Sequence, residues 1–184
     1  MHGDTLRRAY SIASPALPDA DVHVTVKRVQ DGRVSQWLNT MLAVGDTVAA
    51  CGPSGQFGVD LDAAAQRHLV LIAGGSGITP CMSILQSVLA AEPQSRITLL
   101  YGNRSAADVI FRERLAALRQ TYGARLVVDH VLETLTPDDG EATAGRLDAE
   151  TITARLAACD LGEEVSGYYL CGPTPMMAAA RSAL

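Results

Sequence analysis

The segment His-Leu-Val-Leu-Ile-Ala-Gly-Gly-Ser-Gly-Ile-Thr-Pro at residues 68–80 constrains the fold of this chain more than any other. Its apolar run at residues 70–72 is typical of a buried strand in a parallel sheet. Three glycines follow and predict a tight turn that leaves room for a ligand close to the backbone: Gly74, Gly75 and Gly77. Pro80 is expected at the first position of a helix, whose exposed amides would attract a phosphate or pyrophosphate. The alternative is a glycine turn that only joins a strand to a helix.

Two styles of sequence meet near residues 58–67. The part before this boundary has β-branched and alternating patterns that predict antiparallel strands at residues 8–13, 22–29 and 46–51. A short helix is predicted at residues 35–42, with the Ser35 hydroxyl as its N-terminal cap. We therefore expect a partial antiparallel β-barrel domain at residues 1–58 and an α/β domain at residues 59–184.

The second part of the chain alternates between strand and helix patterns. Apolar runs predict strands at residues 68–73, 96–101, 125–131 and 168–171. Helical periodicity predicts helices at residues 80–91, 108–122, 148–158 and 175–184. Strands that alternate with helices indicate a doubly wound parallel sheet, in which ligands bind at the carboxyl ends of the strands.

Composition restricts the classes of partner. The net charge is −5 and no basic run is present, which argues against nucleic acid and against an anionic membrane surface. No apolar stretch approaches the roughly 20 residues that span a bilayer, and no secretory leader is recognisable, so a cytoplasmic enzyme is expected. The four cysteines form no Cys-x-x-Cys pair. Neither a metal site, nor an iron–sulfur cluster, nor a disulfide framework is therefore predicted.

Two further motifs flank the glycine turn: Arg-Ala-Tyr-Ser at residues 8–11 and Cys-Gly-Pro at residues 171–173. The order of Arg-x-Tyr-Ser, Gly-Gly-x-Gly-Ile-Thr-Pro and Cys-Gly-Pro resembles the ferredoxin–NADP reductase superfamily. With Tyr-Gly-Asn-Arg-Ser at residues 101–105, the sequence looks closest to reductase subunits of multicomponent oxygenases of the phenylacetyl-CoA epoxidase type. The resemblance implies electron transfer from NADPH through FAD to an iron–sulfur protein or an oxygenase component.

The resemblance assigns flavin contacts to the first domain. It implies that Arg8 meets the FAD pyrophosphate, that Tyr10 packs on the ring system and that Ser11 hydrogen-bonds near flavin N5. The residues that it places beside the ring and ribityl chain, and in a second phosphate loop, are Val26, Lys27, Arg28, Gly32, Val34 and Ser35. Without the resemblance, solvated strand charge would explain Arg8 and Lys27 better.

The same resemblance assigns nicotinamide contacts to the second domain. It implies that Cys171 lies beside the nicotinamide and that Thr79 helps to seat the ring and the pyrophosphate. Ser11 and Cys171 are thus the expected catalytic residues, and they act by positioning because the cofactors carry the chemistry. The remaining expected cofactor-binding residues are Gly74, Gly75, Gly77, Asn103, Arg104, Ser105, Gly172, Pro173 and Met176.

The choice of nicotinamide depends on residues 103–105, which follow the second parallel strand. An NAD enzyme of this architecture tends to place Asp or Glu there. Arg104 and Ser105 instead offer a guanidinium and a hydroxyl, which suit a 2′-phosphate. NADPH is therefore predicted, with NADH less favoured.

Departures from the family pattern leave the activity of this chain open. The family's flavin domain is a closed six-stranded barrel, and its nucleotide domain ends in a strand after the Cys-Gly-Pro helix. Only about three barrel strands and no such final strand are predicted here, so we expect a partial sequence that holds flavin weakly. The alternatives are a non-catalytic or partner-dependent nucleotide-binding fragment, and a flavohaemoglobin-type or flavodoxin-type reductase.

Overall fold

The computed structural model describes residues 6–159, 161 and 164–184 of the chain. Within these residues five strands form one sheet: β1 (His68–Gly74), β2 (Arg96–Asn103), β3 (Leu126–Leu132), β4 (Thr143–Ala144) and β5 (Gly167–Cys171). Their order across the sheet is β4-β3-β2-β1-β5, and every neighbouring pair is parallel. The chain therefore moves from β1 towards one edge and returns to the other side of β1 with its last strand.

Helices cover both faces of this sheet. Helix α1 (Arg33–Thr40) precedes it, and the second half contributes α2 (Ile78–Ala91), α3 (Arg112–Tyr122), α4 (Ala149–Ala158) and α5 (Thr174–Ala183). Leu69 and Leu71 of β1 belong to a buried cluster with α2 and α3, whereas Val70 and Ile72 belong to a second cluster with α4 and α5. Since alternate strand residues point to opposite faces, β1 is apolar on both sides. The predicted doubly wound parallel sheet is thereby confirmed.

Some element boundaries differ from the predicted ones. Helix α2 begins at Ile78, so Pro80 is its third residue rather than its first. This position is tolerated because the N–H groups of a first helical turn have no partner within the helix. Helix α3 begins at Arg112 rather than at residue 108, because Ala106–Asp108 forms a separate 3-10 turn and Phe111 adopts left-handed backbone with φ +63°.

The first half of the chain contains less strand than predicted. Among the described residues, its antiparallel pairing is a single bridge between Ile12 and Val24. The predicted strands at residues 8–13, 22–29 and 46–51 do not form. β-branched residues favour extended backbone, but a strand persists only where a neighbouring strand pairs with its N–H and C=O groups. These segments have almost no such neighbour, so the prediction of three strands is wrong.

The predicted N-terminal cap of α1 is also wrong. Gly32 is the N-cap and Ser35 is the third residue of the helix. The Ser35 hydroxyl donates to the Gly32 carbonyl (3.2 Å) and accepts from the Val29 N–H (3.2 Å). Serine therefore closes the turn before α1 through side-chain to backbone bonds of the kind that compete with regular structure.

An ion pair between the buried Glu92 carboxylate and the partly exposed Arg67 guanidinium fixes the segment that leads into β1. The Glu92 carboxylate has no exposed surface, and it accepts hydrogen bonds from Arg67 Nε (3.1 Å) and the Ser95 hydroxyl (2.7 Å). Arg125 donates to the carbonyls of Ser95 (2.8 Å) and Glu92 (2.6 Å). Burial opposes ionisation of Glu92, but the hydrogen bonds from Arg67 and Ser95 outweigh it and hold its pKa below the ordinary value. The cluster ties together the amino-terminal ends of β1 and β2.

Candidate functional site

A cleft of about 1200 Å³ opens at the carboxyl ends of the strands. It lies where β1 is followed by β2 on one side and flanked by β5 on the other. Such a point, at which the strand order reverses, is where ligands bind in open α/β sheets. The first half of the chain contributes Arg8, Tyr10 and Lys27 to its wall. Both halves of the sequence therefore border one cavity.

Most of the predicted site residues meet in this cleft. Those that line it are Arg8, Tyr10, Ser11, Lys27, Gly32, Val34, Ser35, Gly74, Gly75, Gly77, Thr79, Asn103, Arg104, Cys171, Gly172, Pro173 and Met176. Three predicted residues do not line it: Val26, Arg28 and Ser105. Thr25, Lys27 and Val29 face the cleft instead of Val26 and Arg28, as expected where the side chains of an extended segment alternate.

Close packing within the protein already requires glycine at two of the three glycine positions in the turn after β1. A Cβ atom on Gly74 would lie 2.6 Å from Met176 Sδ, and one on Gly77 would lie 2.0 Å from the Cys171 carbonyl oxygen. Both glycines nevertheless line the cleft, so their expected place beside a ligand stays a prediction. They allow the glycine turn to touch the Cys-Gly-Pro turn that follows β5.

Gly75 is the turn residue that faces open space. Its φ is +51°, a left-handed conformation that L side chains rarely adopt, and no atom lies within 4 Å of the position that its Cβ would occupy. Its carbonyl accepts a hydrogen bond of 3.0 Å from the Tyr101 hydroxyl. The Thr79 hydroxyl donates to the Ser76 carbonyl at 3.1 Å. The turn thus has a fixed backbone with one open side at the start of α2, which is the usual setting for a bound phosphate.

A charged cluster follows β2 at the edge of the cleft. The Asp108 carboxylate accepts hydrogen bonds from Arg104 (3.0 Å) and from the Ser105 hydroxyl (3.0 Å), and Lys27 Nζ lies 3.6 Å away. The Ser105 hydrogen bond and the Arg104 guanidinium lower the pKa of Asp108 below its ordinary value. The prediction of NADPH rested on the lack of a carboxylate directly after β2. A carboxylate is nevertheless present in this cluster, at Asp108, five residues after the strand.

Asn103 presents an unpartnered amide to the same region. Its side chain is buried, and neither Oδ1 nor Nδ2 makes a hydrogen bond of ordinary geometry with the described residues. The amide does lie close enough to the Tyr101 hydroxyl to lower the pKa of that phenol, against the larger effect of burial. A buried amide without partners costs free energy. Its place in the cleft wall makes this amide accessible to a ligand that could supply the missing hydrogen bonds.

Cys171 is half-buried where β5 meets the Cys-Gly-Pro turn. Burial raises the pKa of its thiol, so the thiol is protonated near neutral pH. A neutral thiol is a poor nucleophile. This property agrees with a positioning role for Cys171 and gives no support to covalent catalysis.

Five charged residues of the cleft lie outside the predicted set: Arg33, Asp108, Glu133, Arg146 and Asp148. Glu133 follows β3, and its carboxylate accepts a 2.8 Å hydrogen bond from Arg146. Asp108 could have been found from its i, i+4 spacing to Arg104, which is typical of an ion pair. The pairing of Glu133 with Arg146 carries no local signal, since the two residues come together only through β4 and the turn after it.

Comparison with known proteins connects these observations. The oxidoreductase NAD-binding domain family matches residues 71–182, and the oxidoreductase FAD-binding domain family matches residues 1–58. The chain belongs to the ferredoxin reductase family of FAD- and NAD-binding oxidoreductases. The predicted FAD-binding first domain is thereby confirmed as a family match, although its predicted strands are not.

Individual relatives of this family are components of oxygenase systems. The chain is 36% identical to one of the subunits of the 1,2-phenylacetyl-CoA epoxidase of Escherichia coli (99% of this chain, 51% of the relative). It is 41% identical to the ferredoxin reductase component of 3-ketosteroid-9-alpha-monooxygenase of Mycobacterium tuberculosis (98% and 46%). The crystal structure of the Amycolatopsis cytochrome P450 reductase GcoB superposes with a TM-score of 0.80 at 32% identity (99% and 53%). The chain spans about half the length of the curated relatives that it matches.

The polar groups that line the cleft suit the two cofactors of the ferredoxin reductase family, FAD and a nicotinamide nucleotide. The open side of Gly75 and the unpartnered amide of Asn103 lie on the side of the NAD-binding match. Arg8, Tyr10 and Ser11 lie on the side of the FAD-binding match. No group of three or more metal-ligating side chains occurs in the described part of the chain. Nor does any helix in that part have the length and apolar character to cross a membrane.

Proposed function

We propose that this chain is the FAD- and nicotinamide-binding part of a reductase that passes electrons from NADPH to an iron–sulfur protein or an oxygenase component. The observation that carries the proposal is one cleft, bordered by both domain matches, in which the glycine turn touches the Cys-Gly-Pro turn. The relatives, which are components of oxygenase systems, support the kind of acceptor. The four free cysteines support a reducing, cytoplasmic setting.

The chain's own residues bind and orient in this proposal. When bound, the nicotinamide supplies a hydride, and the flavin accepts it and releases electrons singly. Arg8 neutralises the diphosphate of FAD, Tyr10 covers the flavin ring and Ser11 donates a hydrogen bond near N5. Cys171 and Thr79 hold the nicotinamide against the flavin. Because the Cys171 thiol is protonated, it contributes shape and a weak hydrogen bond rather than charge.

The flavin content of the purified chain tests the proposal most directly. We expect a flavin absorbance spectrum after addition of FAD, and reduction of ferricyanide by NADPH measured per bound flavin. A chain that binds NADPH but no FAD, and that shows no turnover, contradicts the reductase function. It would support the second candidate, a partner-dependent nucleotide-binding fragment. The single bridge between Ile12 and Val24 favours this candidate, because a flavin domain with so few paired strands shields its cofactor poorly.

The proposed diphosphate contact of Arg8 predicts a difference between two flavins. Arg8 lines the cleft, and its guanidinium donates a 2.7 Å hydrogen bond to the adjacent Arg7 carbonyl. Arg8→Ala is expected to reduce retention of FAD far more than retention of FMN, because FMN lacks the diphosphate bridge. The measurement is the stoichiometry of each flavin after desalting. Arg28→Ala is the matched control, since Arg28 does not line the cleft; equal losses of FAD in the two variants would remove Arg8 from the diphosphate site.

Nucleotide preference is the second prediction of this proposal. We propose that Arg104 binds the 2′-phosphate of NADPH while Asp108 limits the preference, because its carboxylate repels that phosphate and suits a 2′-hydroxyl. Arg104→Ala is expected to weaken NADPH binding by roughly 1.5–3 kcal/mol and to leave NADH binding almost unchanged. Asp108→Asn is expected to shift the ratio of dissociation constants about tenfold towards NADPH, or ~1.4 kcal/mol.

Dissociation constants for both nucleotides, measured on the wild type and the two variants, check this pair of effects. The two substitutions must change the NADPH to NADH ratio in opposite directions. Equal changes for both nucleotides in either variant would place that residue outside the 2′ site.

A further inference from the structure

We infer that Tyr101 is a positioning residue for the dinucleotide: its hydroxyl holds the glycine turn and the loop after β2 in one arrangement. The inference rests on the proposed nucleotide function and adds a residue that makes no contact with the cleft itself. Tyr101 is not among the residues that line the cavity. It lies beneath that wall, in the buried cluster with α2 and α3.

The hydroxyl of Tyr101 bonds to two loops from different strands. It donates to the Gly75 carbonyl at 3.0 Å and accepts from the Ile110 N–H at 3.2 Å. A phenol can serve as donor and acceptor at once, so both bonds form together. Gly75 belongs to the turn after β1, and Ile110 to the loop after β2 that also carries Asp108.

One bond is made at an unusual backbone conformation and the other directly beside one. Gly75 has φ +51°, and Phe111, which follows Ile110, has φ +63°. A non-glycine residue at positive φ persists only where its surroundings fix it. Tyr101 itself is fully buried, and burial raises the pKa of its hydroxyl to about 12. The hydroxyl therefore keeps its proton, and both hydrogen bonds remain at any ordinary pH.

Removal of the hydroxyl leaves the Gly75 carbonyl and the Ile110 N–H without these partners. The aromatic ring of a Tyr101→Phe variant still fills the same space, so packing against α2 and α3 is kept. What changes is how firmly two loops are held in place. In the proposed complex, the turn after β1 borders the pyrophosphate and the loop after β2 borders the adenosine ribose. We therefore expect Tyr101→Phe to reduce nucleotide affinity as well as stability.

Tyr101→Phe is tested in the full chain against a matched control on the same strand. Thr98→Val removes a buried hydroxyl near the other end of β2, where Thr98 Oγ1 lies 2.9 Å from His68 Nε2. The measurements are dissociation constants for NADH and NADPH, FAD content, and the melting temperature of each variant. For Tyr101→Phe we expect five- to twentyfold weaker binding of both nucleotides with unchanged FAD content. For Thr98→Val we expect a lower melting temperature and unchanged nucleotide affinity.

Two outcomes overturn the inference while leaving the proposed function intact. One is a Tyr101→Phe variant that binds both nucleotides within twofold of the wild type while its melting temperature falls as in Thr98→Val, which would make the tyrosine merely structural. The other needs no variant: in the wild type, bound nucleotide is expected to slow hydrogen exchange of the Ile110 amide, and unchanged exchange contradicts the inference. A wild-type chain that binds neither nucleotide overturns the proposed function itself, and this inference with it.

Discussion

Replacement of Gly77 by alanine is expected to abolish dinucleotide binding. The added Cβ would lie 2.0 Å from the carbonyl oxygen of Cys171 and 2.8 Å from the Gly172 nitrogen. Both are backbone atoms, so no side-chain rotation relieves the clash, and the turns after β1 and β5 must separate. We expect at least a hundredfold loss of NADPH and NADH affinity, since the cleft is built between these turns. We also expect a decrease of about 1–3 kcal/mol in the free energy of unfolding, measured by urea denaturation.

Gly75→Ala separates this clash from simple backbone strain. At Gly75 the added Cβ meets no atom within 4 Å, and the cost arises from its φ of +51°, about 1–2 kcal/mol. The two variants should therefore lose comparable stability through different causes. Gly75→Ala is compared with Gly77→Ala for stability alone, because Gly75 borders the open side of the turn where the phosphate is proposed to bind. Normal nucleotide affinity in Gly77→Ala would contradict the contact between the two turns.

The largest loss of stability is expected from Glu92→Ala. This substitution leaves the Arg67 guanidinium without its buried carboxylate and leaves the Ser95 hydroxyl without its acceptor. Removal of one partner of a fully buried ion pair costs about 3–5 kcal/mol. Because the Arg67 side chain that remains is 27% exposed, we expect a loss near the lower end of that range. The matched control is Glu133→Ala, which breaks a much more exposed pair with Arg146 and should cost about 1 kcal/mol or less. Urea denaturation of both variants at pH 7 measures the two free energies, and equal losses would contradict the structural role of the buried pair.

The same ion pair predicts a pH dependence with a defined sign. The folded-state pKa of Glu92 lies below its ordinary value of 4.5, so the unfolded chain binds its proton first as the pH falls. The stabilisation by Glu92 is therefore fully present above about pH 5 and decreases as the pH falls below 4.5 towards the folded-state pKa. We expect the difference in unfolding free energy between the wild type and Glu92→Ala to be constant from pH 5 to 8 and to narrow below. If the difference in unfolding free energy between the two proteins increased as the pH fell, the predicted direction of the pH dependence would be wrong.

The sequence predicted the sheet well because its signals are local. Uninterrupted apolar runs such as residues 69–73 specify a strand that is buried on both faces, and the following glycines mark its end. The same kind of signal misled the prediction in the first half of the chain. Residues 22–29 have the composition of a strand, but pairing depends on a neighbour that composition does not reveal.

The details of the cleft depended on contacts between distant residues. Gly74 and Gly77 match a phosphate turn by sequence, yet their close partners are Met176 and Cys171, about a hundred positions along the chain. The position of Asp108 in the cleft was missed for a different reason. The rule for nucleotide choice considers the residues directly after the strand, and the backbone carries this carboxylate back to Arg104. Such placements follow from loop geometry and not from residue type.

The position of β5 beside β1 has a consequence for the order of folding. The pair Leu69 and Gly167 is separated by roughly one hundred residues, and closing so long a loop is entropically costly. By contrast, β1 pairs with β2 and β2 pairs with β3 across single helical crossovers, and contacts that are close in sequence form faster. We expect β5 to dock last and to bring Cys171 with it. The cleft then forms only at the final step of folding. A bound dinucleotide is therefore expected to stabilise selectively the molecules in which this last strand has docked.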